Sequence, residues 1–366
     1  LYRDLVTRAE KAGSRGLVRE GLDGIGAALV PQSRRDEAIP FYRSSLVEAD
    51  ILGDVHNQCR MLINLAYNLA NRTDNSEPRR LLDDAEARLL ACGNTYLLGH
   101  VDGTRAVCSE GEVNRPQAIE LFQSAADQHA AVGNRSGELG ARQRMAFNLS
   151  MQGRFLEARA NYETCLQLME GEESNWIANW VLWGLANVHR NLGDLDTALI
   201  YYDRALAVSR GLGSRMTVAG VLSETGLVHA RLGRYRQAIV RHHEALDIML
   251  ELGATREAAR IKARIGDAYF QLGDLNEALD HYQQSYEITS TLDSRLNLSD
   301  AVGGLAAIHG QAGNHGQAAA GFREALEIAR ALDDQEAVVW ALLGLAEQEI
   351  LAGNKAGARE ALVEAE

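Results

Sequence analysis

Residues 176–212 read WIANWVLWGLANVHRNLGDLDTALIYYDRALAVSRGL and carry the clearest structural signal in the chain. Apolar residues recur at helical spacing on both sides of Leu192-Gly193-Asp194, so the stretch predicts two helices joined by a turn. Glycine supplies the positive φ that commonly ends a helix. The first half of the stretch also holds three of the four tryptophans of the protein.

This hairpin pattern recurs along the chain with a period of about 40 residues, which is typical of helical repeats. The glycines in phase with Gly193 are Gly153, Gly233, Gly273, Gly313 and Gly353. Five residues later comes a small residue, at Ala158, Ala198, Ala238, Ala278, Ala318 and Ala358, and four further on a ring, at Tyr162, Tyr202, His242, Tyr282 and Phe322. Small residues let two helices approach closely and the ring fills the space beside them, so each unit is predicted to be a helical hairpin.

The spacing predicts one solenoid over residues 1–366, with units near 15–54, 55–94, 95–134, 135–174, 175–214, 215–254, 255–294, 295–334 and 335–366. The first helix of each unit is predicted near 15–31, 55–71, 95–111, 135–151, 175–191, 215–231, 255–271, 295–311 and 335–351. Turns between units carry a second glycine series, after which come the cap-type residues Ser14, Asp54, Ser214 and Asp334. The opening residues look like the middle of a helix, so we expect a piece of a longer protein.

The repeat resembles the tetratricopeptide repeat (TPR) family. The family pattern of small and large positions falls on Leu182, Leu185, Ala186, His189, Ala198 and Tyr202 and on their equivalents in the other units. The unit is longer than the usual member of the family, at about 40 residues against about 34. This longer form is similar to the sensor arms of bacterial STAND regulators and to adaptors of the Leu-Gly-Asn type. The resemblance implies an all-α, right-handed superhelical solenoid whose first helices line the concave face.

Composition and motifs exclude several function classes. A net charge of −13 argues against generic nucleic-acid binding, which needs a concentrated basic footprint. No run approaches the eighteen or so apolar residues of a membrane span, and the four scattered cysteines suit a reducing cytoplasm. The known phosphate-loop, dinucleotide, zinc-protease and nucleophile-elbow motifs do not occur. We therefore expect no enzyme activity, no cofactor and no membrane partner.

Three histidines, His189, His229 and His309, stand at the same position of their repeats. A ladder of metal ligands would explain that register, but equivalent positions in successive hairpins are roughly 10 Å apart, too far to share one metal. We predict that each histidine fills the packing position of its hairpin and that the chain has no metal site.

The unit at 95–134 departs from the pattern. Its first helix carries Asp102 and Arg105 at positions that are apolar elsewhere, and Ser109 at the ring position. This unit is predicted to pack least well. It could serve as a flexible joint or could simply be a diverged repeat.

The tryptophans occupy a stripe that the fold does not need. At 100° per residue, Leu182 and Leu185 face the hairpin core, whereas Val181 and Val188 face the neighbouring unit. The remaining stripe carries Trp176, Trp180, Trp183, Asn187 and Arg190. A polar stripe is expected there, so three tryptophans indicate an exposed apolar binding surface.

Neighbouring units complete a candidate pocket, because Gly140, Gly220 and Ser223 leave space beside the rings. The predicted ligand-binding residues are Trp176, Trp180, Trp183, Asn187, Arg190, Gln143, Arg144, Phe147, Met216, Glu224, Leu227, Arg260 and Arg264. The stripe continues through Arg256, Asp267, Phe270 and Trp340, to which we assign no role. Two alternatives stay open: the rings could pack on one another across the groove, or the stripe could belong to the core between units.

The leading hypothesis is a non-enzymatic recognition scaffold, the sensing arm of a larger bacterial regulator. A protein or peptide segment, which could come from the parent protein itself, would place an apolar side chain among the three tryptophans. Arg190, Arg260 and Arg264 would hold a carboxylate of that segment. The alternatives are a small-molecule sensor, for example for a sugar, and a structural spacer.

Overall fold

A computed structural model describes residues 1–30, 34–70, 74–171, 174–291 and 297–365. Within these ranges the chain forms nineteen α-helices and no strand. The helices are α1 (Tyr2–Lys11), α2 (Arg15–Leu29), α3 (Arg35–Leu52), α4 (Val55–Leu69), α5 (Ser76–Ala91), α6 (Leu98–Gly111), α7 (Arg115–Ala131), α8 (Arg135–Met151), α9 (Phe155–Met169), α10 (Trp176–Asn191), α11 (Leu195–Gly211), α12 (Arg215–Arg231), α13 (Tyr235–Glu251), α14 (Thr255–Leu272), α15 (Leu275–Thr291), α16 (Leu298–Gln311), α17 (His315–Ala331), α18 (Gln335–Leu351) and α19 (Lys355–Ala365).

The all-α repeat architecture predicted from the constant spacing of small residues and rings is confirmed. Helices α8, α12 and α18 begin and end at the predicted residues. Helix α6 begins at Leu98, three residues later than predicted, because the Asn94 side chain accepts a hydrogen bond from the Tyr96 backbone N–H and holds a turn there. The start predicted near 295 lies outside the described residues, and α16 begins at Leu298.

Glycines end most helices in the way the repeat predicts. Gly193 and Gly273 have φ of 83° and 82°. Val113 and Asp333 adopt the same left-handed conformation at two turns where glycine is missing. A residue other than glycine is strained at such a φ, so the backbone of these two turns has a higher conformational energy than that of the equivalent glycine turns.

Only half of the predicted caps make their hydrogen bond. Asp54 and Asp334 accept from the backbone N–H groups of Asn57 and Ala337, each at 3.1 Å. Ser14 and Ser214 occupy the N-cap position but accept no such bond. The Ser214 hydroxyl bonds the Thr217 hydroxyl instead, at 2.7 Å.

A ring packed on small residues forms the core of several hairpins, as the sequence predicts, whereas α5 has Leu82 at the equivalent position. Tyr282 lies between Gly266 of its own hairpin and Gly304 of the next. A Cβ atom at Gly266 would lie 2.9 Å from the ring, and one at Gly304 only 2.3 Å. Any larger side chain there would separate the helices, which explains why small residues recur at these positions.

The unit that breaks the pattern is held by polar contacts. Asp102 accepts hydrogen bonds from Ser124 Oγ at 2.7 Å and Gln128 Nε2 at 2.8 Å. Arg105 pairs with Asp83 and Glu86, both at 2.7 Å. Polar partners on α5 and α7 thus replace apolar packing at these two positions, whereas Val101 on the same helix stays in an apolar cluster. Its role as a flexible joint stays a prediction.

The chain divides into two compact units, Leu1–Glu173 with α1–α9 and Ser174–Glu366 with α10–α19. In the second unit the first helices lie side by side, α12 against α14, α14 against α16 and α16 against α18. None of the described helices is long and apolar enough to cross a membrane.

Candidate ligand-binding surface

Helix α10 presents its tryptophans outward. It starts at Trp176, where the Asn175 side chain accepts from the Ala178 N–H at 2.9 Å. The packing positions Val181, Leu182 and Leu185 are fully buried. Trp176 and Trp180 are 61% and 47% exposed. Trp176 and Trp180 therefore do not belong to the core between units.

Trp180 and Trp183 form a flat aromatic surface. Their rings stack with centroids 5.4 Å apart and planes 7° from parallel. Trp183 is partly buried over α12, where a Cβ atom at Gly220 would lie 2.7 Å from its ring. The Trp183 indole N–H is covered and has no hydrogen-bond acceptor among the described residues. Self-packing thus involves these two rings, yet it leaves the Trp180 ring open to solvent.

An ion network lies next to this aromatic pair. Glu224 on α12 accepts from Arg190 on α10 and from Arg264 on α14, the latter at 3.1 Å. Arg264 also donates to Ser223 Oγ at 2.8 Å. Burial alone would raise the pKa of Glu224, but the two guanidinium groups outweigh it and hold that pKa below its ordinary value.

This network changes the role that the sequence suggested for the arginines. Arg190 and Arg264 are already matched by Glu224, so a ligand carboxylate would have to compete with an internal ion pair. Arg260 makes no such ion pair in the described part of the chain, and its buried Nε, like that of Arg190, has no hydrogen-bond partner there. Burial, and secondarily the charge of Arg264, lowers the pKa of Arg260. Arg260 is therefore the one arginine of these three that Glu224 does not pair.

The other predicted residues of the second unit surround this centre. Asn187 accepts a hydrogen bond from the Tyr202 hydroxyl at 2.5 Å, which fixes its amide oxygen. Met216 is 49% exposed at the start of α12, and Leu227 is partly buried near its end. These side chains add apolar and amide surface on either side of the ion network.

Asp267 on α14 is a residue to which the sequence reasoning gave no role. It stands two units after Asn187, and the Tyr282 hydroxyl donates to its Oδ1 at 2.7 Å, as Tyr202 does to Asn187. Desolvation by the surrounding protein raises the pKa of Asp267 to about 6, against the opposing effect of the Tyr282 hydrogen bond. Even so, the side chain is exposed to solvent. The available signal was the identical sequence separation from a tyrosine in both units.

Gln143, Arg144 and Phe147 belong to the first unit. Arg144 pairs with Glu110, and its guanidinium lies 5.4 Å from the centre of the Phe122 ring. Phe147 is 48% exposed and Gln143 partly buried. Of these three, only Phe147 offers open apolar surface.

Trp340 on α18 is a second aromatic feature of the second unit. A Cβ atom at Gly303 on α16 would lie 2.0 Å from its ring, which also packs edge-on against Phe322 at 5.7 Å. The side chain remains 40% exposed. The pairing of a tryptophan with a glycine on the neighbouring first helix therefore occurs twice in this unit, at Trp183 with Gly220 and at Trp340 with Gly303.

The three repeated histidines differ in burial: His189 is buried, His229 is half-buried and His309 is exposed, so the prediction that each fills a packing position is wrong for His309. The His189 ring stacks on Tyr201 at 5.4 Å, and its Nδ1 lies 3.0 Å from Asp194 Oδ2. Within the described ranges, His, Cys, Asp and Glu side chains nowhere gather in a group of three or more that could hold a metal ion.

Comparison with protein families identifies the repeat. The tetratricopeptide repeat family model matches residues 138–210 and 217–291, which confirms the resemblance drawn from the sequence. Residues 268–349 also match the model of anaphase-promoting complex subunit 5. No curated protein sequence matches the chain.

Several solved structures share the fold. The apo form of RapI superposes with a TM-score of 0.76 at 12% identity, covering 95% of this chain and 97% of that one. A Rap protein complexed with competence and sporulation factor gives 0.63 at 14% identity, covering 95% and 96%. A STAND protein with a tetratricopeptide repeat sensor from Pyrococcus horikoshii gives 0.60 at 14% identity, covering 89% of this chain and 52% of that one. At these identities the likeness shows the fold alone.

Proposed function

Because the chain is built from tetratricopeptide repeats, we propose that it is a recognition scaffold that binds a peptide segment on the first helices of its second unit. The segment places an apolar side chain against Trp176, Trp180 and Trp183. It comes from a partner protein or from another part of the parent protein.

The observation that carries this proposal is the stacked Trp180–Trp183 pair on a helix whose packing positions are already filled. Covering about 100 Å² of an exposed indole contributes roughly 2.5 kcal/mol, so one apolar side chain on this surface supplies a large part of a micromolar affinity. Tryptophan is also enriched among the residues that dominate binding energy.

The comparisons support the same reading at the level of the fold. One structural relative was solved in complex with a competence and sporulation factor, and another carries its repeats as the sensor of a STAND protein. By analogy, we place this chain as the sensing arm of a larger regulator.

Selection from a displayed library of random heptapeptides tests the proposal. Wild-type protein is compared with the Trp180→Ala/Trp183→Ala variant, whose helical circular dichroism should be unchanged because neither ring occupies one of the fully buried packing positions of α10. The matched control, Ile200→Ala/Val240→Ala, removes side chains that are 59% and 56% exposed on second helices. Enrichment of peptides by wild type and control, but not by the tryptophan variant, is expected. Equal enrichment by all three would refute the site.

Screening the protein against a panel of metabolites distinguishes the small-molecule alternative from peptide binding. Stacked indoles beside an amide can also hold a sugar. If the peptide library gives no enrichment while a metabolite changes the tryptophan fluorescence and raises the Tm of the wild type only, the small-molecule reading replaces the peptide reading.

A further inference from the structure

The carboxylate of Asp267 is the most distinctive charged group on the first-helix surface of the second unit. The residue has solvent-exposed surface although the surrounding protein desolvates its carboxylate, and among the described residues its hydrogen-bond partner is a neutral hydroxyl, that of Tyr282. By contrast, Glu224 on the adjacent helix is paired with two arginines. The charge of Glu224 is thus neutralised within the fold, whereas that of Asp267 is not.

The cations of the same helix do not reach Asp267 in an ion pair within the described structure. Arg264, one turn earlier, points its guanidinium at Glu224 and Ser223. Arg256 and Arg260 lie eleven and seven residues earlier, about 16 and 10 Å along the helix axis at roughly 1.5 Å per residue. Glu347, at the equivalent position two units later, is another exposed carboxylate. The end of the surface around Asp267 therefore favours a positive group.

A chain of contacts connects Asp267 to the aromatic pair. Trp183 on α10 covers Gly220 on α12, and Glu224, one turn further on α12, contacts Arg264 on α14. Two steps between packed helices, each of about 8–10 Å, separate α10 from α14 by roughly 16–20 Å. An extended peptide advances about 3.3–3.6 Å per residue, so about five or six residues cover that distance.

We propose that Asp267 binds a lysine or arginine side chain of the peptide whose apolar side chain lies on Trp180 and Trp183, about six residues away. The inference rests on the proposed function and adds a charge requirement and a spacing to it. The cation is the charged partner that Asp267 lacks in the fold, while the Tyr282 hydroxyl continues to donate its hydrogen bond to Oδ1. A charge-assisted hydrogen bond of this kind typically raises the binding affinity about tenfold or more.

The probes are three pools of acetylated, amidated heptapeptides with five randomised central residues. All begin with phenylalanine, and they end with arginine, with citrulline or with glutamate. Citrulline has nearly the shape of arginine without its charge. Retention of each pool on immobilised protein is measured by mass spectrometry for wild type, Asp267→Asn, Trp180→Ala/Trp183→Ala and Asp247→Asn. The asparagine at 267 still accepts the Tyr282 hydrogen bond, and Asp247→Asn removes the same charge from an exposed position on α13.

Wild type and Asp247→Asn should retain the arginine pool roughly tenfold more than the citrulline pool. Asp267→Asn should lose that preference but keep a weak retention of all three pools. An unchanged arginine preference in Asp267→Asn overturns this inference alone and leaves the tryptophan site standing. An unchanged retention in the tryptophan variant overturns the proposed site and this inference with it. Failure of wild type to retain any pool also overturns the inference.

Discussion

Gly220 and Gly140 occupy equivalent positions in repeats two units apart but face different surroundings. A Cβ atom at Gly220 would lie 2.7 Å from the Trp183 ring, whereas one at Gly140 would meet no atom within 4 Å. Gly220→Ala should therefore displace the Trp183 ring and shift the tryptophan fluorescence. Gly140→Ala should instead stabilise the protein by about 0.5–1 kcal/mol, because alanine favours helix. Thermal unfolding and emission spectra measure both, and an unchanged spectrum for Gly220→Ala would contradict the placement of that ring.

Asp267 should lower the stability of the free protein at neutral pH. Desolvation, with the nearby charge of Asp300 added, raises its pKa to about 6 despite the Tyr282 hydrogen bond and Arg264. A folded-state pKa above the unfolded value means that protonation favours the fold, so wild-type stability falls as pH rises from about 4 to about 6. Asp267→Asn should then melt at a higher temperature than wild type at pH 7.5, and the difference should shrink toward pH 4. A lower Tm of the variant at pH 7.5 would show that the carboxylate stabilises the fold.

At the scale of the helices, α6, α7 and α8 meet at a histidine pair in which His129 is buried and His100 half-buried. His100 and His129 contact edge to face at 4.5 Å, and Gly99 and Gly137 leave no room for a Cβ atom beside the His129 ring. Asn134 Nδ2 lies 3.1 Å from His129 Nδ1. Desolvation, with the charge of His100, lowers the pKa of His129 to about 4.

A depressed histidine pKa makes the fold sensitive to acid. The unfolded chain binds the proton first, so stability present above pH 6.5 should be lost between about pH 6.5 and pH 4, on the order of 3 kcal/mol. His129→Gln should flatten this dependence even if it lowers stability throughout. Urea midpoints followed by circular dichroism at pH 7.5, 6.5 and 5.5 compare the two proteins. Parallel curves would exclude His129 as the acid-sensitive group.

The polar contacts of α6 predict that a single substitution at Asp102 markedly lowers the free energy of unfolding. Asp102→Ala would leave the Ser124 hydroxyl without its acceptor and the Gln128 amide with only its 3.2 Å bond to Ser124 Oγ. Each partly buried donor left unpaired costs about 1–3 kcal/mol. Urea unfolding should show a loss of that order, and a loss below about 0.5 kcal/mol would mean that solvent already satisfies these donors.

The helices and their core were predictable because they repeat. Gly193 and its equivalents fix the turns, and Ala198 and Tyr202 fix the packing, so the repeat period reveals them without tertiary information. The ion-pair partners of Glu224 could not be predicted from the repeat period. Arg190 lies in the unit before it and Arg264 in the unit after it, and long side chains reach several positions from one helix face. Asp267 was missed for a related reason, since nothing local shows which carboxylates of an acidic chain lack a cation.

For the whole molecule, the four tryptophans offer a direct view of the proposed site. All four lie in the second unit, at positions 176, 180, 183 and 340. A protein labelled with ¹⁵N therefore gives four indole N–H signals, which single Trp-to-Phe substitutions assign. Each ring differs in exposure or neighbours, so the signals should be separate.

The measurement that tests the central claim is a titration of these signals with the arginine-terminated heptapeptide pool and with any peptide enriched from the random library. The account predicts saturable shifts of the Trp180 and Trp183 signals, with that of Trp340 nearly unchanged. A peptide that binds, as judged by its own retention, while the Trp180 and Trp183 signals stay in place would contradict it.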